Sequence, residues 1–61
     1  MSSEREATLA RALIHRHGIR AAAVAREHAA QCDAQNDCEA ASHWRATARM
    51  VDQLRAEQRA A

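Results

Sequence analysis

The sequence predicts an all-α protein, a single domain of residues 1–61 built from three helices. Alanine supplies 17 of the 61 residues, while proline, phenylalanine and tyrosine do not occur. This composition favours helices and is atypical of sheet-rich folds. Apolar side chains recur at three- and four-residue spacing, which is the period of one helix face. Two breaks, at Gly18 and at residues 33–37, divide this pattern into helices of about 4–17, 20–34 and 37–58.

The first helix is predicted to begin near residue 4, because Ser3 and Glu6 have the spacing of a capping box. Gly18, the single glycine of the chain, is predicted to end this helix. A glycine at that position adopts the left-handed conformation at low cost. We therefore expect Ile19 to fold back and pack against Ile14, as in a Schellman motif.

The second helix presents a narrow face of small side chains to the rest of the protein. Small side chains let a neighbouring helix approach closely, at the short end of the usual interaxial range. The following turn contains Asn36 and Asp37, either of which can cap the third helix. Since a short turn joins them, helices two and three are predicted to form an antiparallel hairpin. The small face consists of Ala21, Ala22, Ala25, Ala29 and Cys32.

The apolar side chains indicate a protein that binds other proteins. Only ten large apolar residues are present, and three short helices with so few have a thin core. A second copy or a larger protein would complete that core, so we expect a homo-oligomer or an accessory or inhibitory subunit. Trp44 is expected to anchor the core against helix two, and the alternative is a partly exposed position at the interface, where tryptophan is enriched. The predicted interface consists of Leu13, Ile14, Trp44, Val51 and Leu54, with Arg45 and Arg49 as its charged rim.

Nucleic acid is the alternative partner. All nine basic residues are arginine, yet the formal net charge is only +1 and neither half of the chain is strongly basic. Such a balance is atypical of a domain that grips phosphates. The alternative depends on an arginine stripe along the last helix, made of Arg45, Arg49, Arg55 and Arg59.

A second alternative is a metal or thiol sensor. Thiolate and imidazole groups suit zinc, and the candidate metal ligands are His28, Cys32, Cys38 and His43. The step from Cys32 to Cys38 around the turn and the five-residue step from Cys38 to His43 do not match familiar zinc sites, and a five-residue step on a helix rotates a side chain away from its neighbour's face. The sequence therefore predicts no metal and no cofactor, and two reduced thiols, with a bridge between them as the remaining option.

Catalysis is not predicted. The chain has no lysine and no glycine-rich loop, and three short helices offer no deep pocket that excludes water. No apolar run approaches the length needed to span a bilayer, and the first residues lack the apolar segment of a signal peptide. We therefore expect a cytoplasmic protein with no membrane partner.

Several residue pairs resemble those of a group of short all-helical proteins from alphaproteobacteria. In that group a His-Gly pair, an alanine-rich helix, a Gly-Asp turn and a helical tryptophan follow one another. The resemblance covers residues 9–54, and the Gly-Asp turn is replaced here by Asn36-Asp37. It implies an all-helical fold and a bacterial cytoplasmic setting, and it implies no activity. The matching residues are His17-Gly18, Ala25-Arg26, Asp37, Trp44-Arg45 and Leu54.

Overall fold

The computed structural model describes residues 2–60, with side chains from Glu4 to Ala60. It contains the α-helices α1 (Ser2–His17), α2 (Ala21–Ala34) and α3 (Cys38–Ala60), with a 3-10 turn at Gly18–Arg20. Within the described range there is no strand, and residues 35–37 are the ones outside a helix. The all-α class predicted from the sequence is confirmed.

The helices are joined differently from the three separate elements that the sequence predicted. The chain passes from α1 through the 3-10 turn into α2 without a non-helical residue. The described residues therefore form two helical segments, 2–34 and 38–60, and the first of them changes direction at the 3-10 turn. α1 also begins at Ser2 rather than near residue 4. The predicted capping box depends on Ser3, whose side chain lies outside the described ones.

Gly18 has the left-handed conformation that the sequence predicted, with φ at 60°. The predicted packing of Ile19 against Ile14 is wrong, because Ile19 is 81% exposed. The reason is local: the chain continues as a 3-10 turn after Gly18, and the backbone N–H of Ala21 donates to the Gly18 carbonyl. Helical winding at this point directs Ile19 outward instead of folding it back onto α1.

We expect Gly18→Ala to lower the free energy of unfolding by about 1 kcal/mol, since a Cβ disfavours the left-handed region. A Cβ at Gly18 would meet no atom within 4 Å, so the cost comes from the backbone alone. Gly18→Asn should lose less, because asparagine tolerates this conformation. Urea unfolding followed by circular dichroism checks the order of the three proteins. Equal stability of Gly18→Ala and the parent would contradict the left-handed assignment.

The turn between α2 and α3 is a Schellman motif built on Asn36, which has φ at 63°. The Asp37 N–H donates to the Cys32 carbonyl at 2.8 Å, and the Asn36 N–H donates to the Asp33 carbonyl at 3.0 Å. These two bonds satisfy carbonyls that the end of α2 leaves free. Asp37 then starts α3, because its Oδ1 accepts the Ala40 N–H at 3.2 Å. The predicted capping by this turn is therefore observed.

α2 and α3 run antiparallel. Near the turn, the guanidinium of Arg45 on α3 forms a salt bridge with Asp33 on α2. Farther from the turn, Arg26 on α2 binds Asp52 on α3 at 2.7 Å. Residue numbers thus fall along α2 as they rise along α3, which is the arrangement of a helical hairpin.

α1 lies against α3 and runs parallel to it. Near its start, Oε1 of Glu6 lies 4.0 Å from Nδ1 of His43. Near its end, Ile14 borders the same groove as Leu54. The first helical segment therefore reverses direction at the 3-10 turn, which places α1 and α2 on two sides of α3.

The core where the helices meet consists mainly of alanine. Seven of its nine buried apolar residues are alanines, and the other two are Leu13 and Val51. Thr47 is also buried, and its hydroxyl donates to the His43 carbonyl at 2.9 Å, so its polar atom is satisfied. The buried alanines are Ala10, Ala21, Ala22, Ala25, Ala29, Ala41 and Ala48.

Candidate functional site

The large apolar side chains lie mostly at the margin of the core. Nine of the chain's ten large apolar residues are among the described side chains, and only two of these nine are buried. Large apolar residues are ordinarily the most buried ones, so this distribution inverts the usual arrangement. Five are partly buried around the core, namely Ile14, Val24, Trp44, Met50 and Leu54, and two are exposed, namely Leu9 and Ile19.

The predicted interface residues separate into two groups by depth. Leu13 is 8% exposed and Val51 is fully buried, so both pack inside the core of the single chain. Ile14 and Leu54 are partly buried and border one open groove between α1 and α3. Ile14 and Leu54 are therefore the two residues of the predicted apolar set that lie together on the α1 side of α3.

Trp44 lies on the α2 side of α3. Its ring stacks on the ring of His28, with ring centroids 4.3 Å apart and an angle of 16° between the planes. Trp44 also packs against the core and is partly buried. Stacking stabilises a pair of aromatic rings beyond the area that they bury. The structure thus gives Trp44 a partner within the chain.

Arg45 and Arg49 lie on the same side of α3 as Trp44. Arg45 is paired with Asp33, and Arg49 borders a small surface cavity together with Arg26 and Arg45. This position is separate from the groove where Ile14 and Leu54 meet. The two arginines therefore do not form the rim of that groove.

The groove between α1 and α3 has residues that the sequence did not assign to an interface. One part is bordered by Arg11, Ile14, His15, Leu54, Glu57 and Gln58. An adjoining part, which also includes Arg11, is bordered by Leu9, Ala12 and Met50 together with the first turns of α1. We call the surface formed by Leu9, Ile14, Met50 and Leu54 the apolar groove.

The number of large apolar residues in the sequence is the signal that could have assigned Leu9 and Met50 to a surface. Met50 and Leu54 are four residues apart and so share a helix face. Leu9 and Ile14 are five residues apart on α1 and so point in different directions, and Leu9 borders the groove beside Met50 while Ile14 borders it beside Leu54. A core made of alanines has little volume for such large side chains. The excess of large residues over buried positions therefore indicates that some of them line a surface.

The four candidate metal ligands do not come together. No group of three His, Cys, Asp or Glu side chains among the described residues is placed to hold a metal ion. His28 stacks on Trp44, and His43 faces Glu6. Cys32 is partly buried and Cys38 is exposed, and both are free thiols. For a metal or thiol sensor, the structure therefore offers two separate thiols, and it does not bring the four candidate ligands together around one metal ion.

The arginine stripe of α3 is partly engaged within the chain. Arg45 is paired with Asp33, and Arg55 donates from Nη1 to the Ile19 carbonyl at 3.1 Å. Asp52, on the same side of α3, binds Arg26. Acidic residues are therefore interleaved with the arginines on this face, which reduces the positive field that a phosphate backbone would meet.

Comparisons with protein-family models, curated proteins and solved structures found no match to the chain. None of the described helices combines the length and the apolar character that crossing a bilayer requires. The resemblance to the alphaproteobacterial group stays a prediction.

Proposed function

We propose that this chain is a small protein-binding module of the cytoplasm, and that it binds through the apolar groove. It acts as a homo-oligomer or as an accessory or inhibitory subunit of a larger protein. The observation that supports this proposal is the inverted distribution of apolar residues, with alanines inside and seven large side chains partly buried or exposed. Covering such side chains removes apolar surface from water, which stabilises a complex.

The groove has the composition of a protein contact rather than of a small-molecule site. Ile14 and Leu54 line it together with the polar residues Arg11, His15 and Glu57. An apolar centre with a polar rim is typical of protein interfaces. The groove is open along two helices, whereas small-molecule sites are concave and enclose most of the ligand.

A helix is the partner shape that such a groove fits. Two parallel helices leave a shallow trough between them, and a third helix can place its side chains into that trough. Met50 and Leu54 lie one turn apart on α3, so they offer the periodic contacts that helix packing uses. The proposed partner surface is therefore helical and apolar on one face.

Site-specific photo-crosslinking in cells of the native host tests this proposal. We expect a benzophenone amino acid in place of Met50 to give one defined adduct, identified by mass spectrometry as a protein. The same amino acid in place of Ala30, which is exposed on α2, is the matched control and should give no such adduct. If the two positions give the same products, or neither gives a protein adduct, the proposed function is wrong.

A further inference from the structure

We infer that the occupant of the apolar groove is the α1–α3 surface of a second copy of this chain, placed antiparallel to the first around a twofold axis, so that the helices of each copy pack against the groove of the other. This inference rests on the proposed function, since it names the partner that covers the groove. Two features of the chain support it: its surface area and the charges at the two ends of the groove.

The single chain exposes more surface than its mass predicts. Its accessible surface is 4563 Å² for 6.7 kDa. A folded monomer of this mass exposes about 3900 Å², so the excess is about 650 Å². Stable dimers bury about 800 Å² on each partner. A contact that covered the excess would thus be close to the usual size of a dimer interface.

Charges of opposite sign meet at the two ends of the groove when one copy is reversed, while Arg11, which borders both parts of the groove, lies between these ends. Glu4 and Arg5 lie at the end of the groove near the start of α1, while His15 and Glu57 lie at the other end. Around a twofold axis, every contact occurs twice and each end of the groove meets the opposite end of the other copy. Arg5 of one copy then faces Glu57 of the other, and Glu4 faces His15.

Arg5 and Glu57 cannot form this pair within one chain. Glu6, next to Arg5, lies beside His43 of α3. Glu57 is 14 residues farther along α3, which corresponds to about 21 Å along the helix axis. That separation exceeds what the two side chains can span. Any coupling between the charges at positions 5 and 57 therefore reports a contact between copies.

Sedimentation equilibrium over a hundredfold range of protein concentration, from micromolar upward, tests the inference. We expect the parent chain to dimerise and Leu54→Glu to abolish the dimer, because a carboxylate would enter the apolar contact. Ala30→Glu, on the exposed face of α2, is the matched control and should dimerise as the parent does. Circular dichroism of each variant establishes that it is folded before its mass is compared.

Charge reversal supplies the second, independent measurement. We expect Arg5→Glu and Glu57→Arg each to raise the dimer dissociation constant by about tenfold at low salt, since each places two like-charge pairs in the contact. The double variant, and an equimolar mixture of the two single variants, should recover the parent dissociation constant to within about threefold. Both rescues require that position 5 of one copy faces position 57 of the other.

Each alternative outcome overturns the inference in a distinct way. A monomer at all concentrations rejects the dimer. A dimer that Leu54→Glu leaves intact rejects the groove as its contact surface, and a dimer without rescue by the double variant rejects the antiparallel arrangement. The photo-crosslink from position 50 decides whether the proposed function fails as well, because it detects any protein that covers the groove. An adduct with a different protein would retain protein binding and exclude the second copy as the occupant.

Discussion

Ala25→Leu is expected to lower the free energy of unfolding by about 3 kcal/mol, at the upper end of the usual cost of overpacking. Ala25 is fully buried in the core cluster that also contains Ala48 and Val51. Three additional carbon atoms at this position must push α2 away from α3. Since a chain of this length is stable by only about 3–9 kcal/mol, the change removes a large part of its stability.

The matched control for this prediction is Ala23→Leu, which makes the same change on an exposed position of the same helix. Its effect on stability should stay within about 0.5 kcal/mol. Urea unfolding followed at 222 nm measures both variants under the same conditions. If Ala25→Leu were as stable as Ala23→Leu, α2 and α3 would not be in the close contact that the alanine face allows.

Trp44→Ala is expected to lower the free energy of unfolding by about 2–3 kcal/mol, below the 3–5 kcal/mol typical of a fully buried tryptophan. Two contributions add: Trp44 packs against the core, and its ring stacks on His28. Trp44→Phe keeps an aromatic ring and should lose less. Because two of these variants alter the tryptophan, circular dichroism rather than fluorescence follows the unfolding.

A double-mutant cycle separates the stacking from the packing. His28→Ala, Trp44→Ala and the double variant should give a coupling free energy of about 0.5–1.5 kcal/mol, the range for aromatic pairs. If Trp44→Ala left the free energy of unfolding unchanged but weakened self-association, Trp44 would belong to the binding surface, as the predicted interface has it. That result would also reject the intrachain role that the His28 stack supports.

The turns of this fold follow directly from the sequence. Gly18 and Asn36 both adopt positive φ, and glycine and asparagine are the residues that reach this region at low cost. Asp37 caps α3 through its carboxylate, as its place after the turn predicted. These features depend on one or two residues and their backbone, so local sequence is sufficient to predict them.

The depth of each apolar side chain depends on more than its own helix. The period of a helical stripe shows which residues share a face, and Leu13 and Ile14 belong to the same stripe on α1. Their burial differs because α1 is rotated against two neighbours, which places Leu13 in the core and Ile14 at its edge. The sequence therefore predicted an apolar strip but could not separate Leu13 and Val51 from Ile14 and Leu54.

Arg45 illustrates the same limit for charge. Its place on α3 predicted a solvated rim or a phosphate contact, whereas the structure pairs it with Asp33 across the hairpin. Twelve residues of chain separate the two side chains, so their meeting depends on the packing angle of α2 and α3. The position of the turn was predictable, and the partner of each arginine along the hairpin was not.

The alanine core has a thermal consequence. Unfolding raises the heat capacity in proportion to the apolar surface that it exposes, and each buried alanine contributes only one methyl group. The heat capacity of unfolding of this chain should accordingly lie below the usual value of about 12–15 cal/mol/K per residue. Its stability curve is then less curved than usual, so the free energy of unfolding continues to rise over a wider range of cooling. Such a protein is protected from cold denaturation.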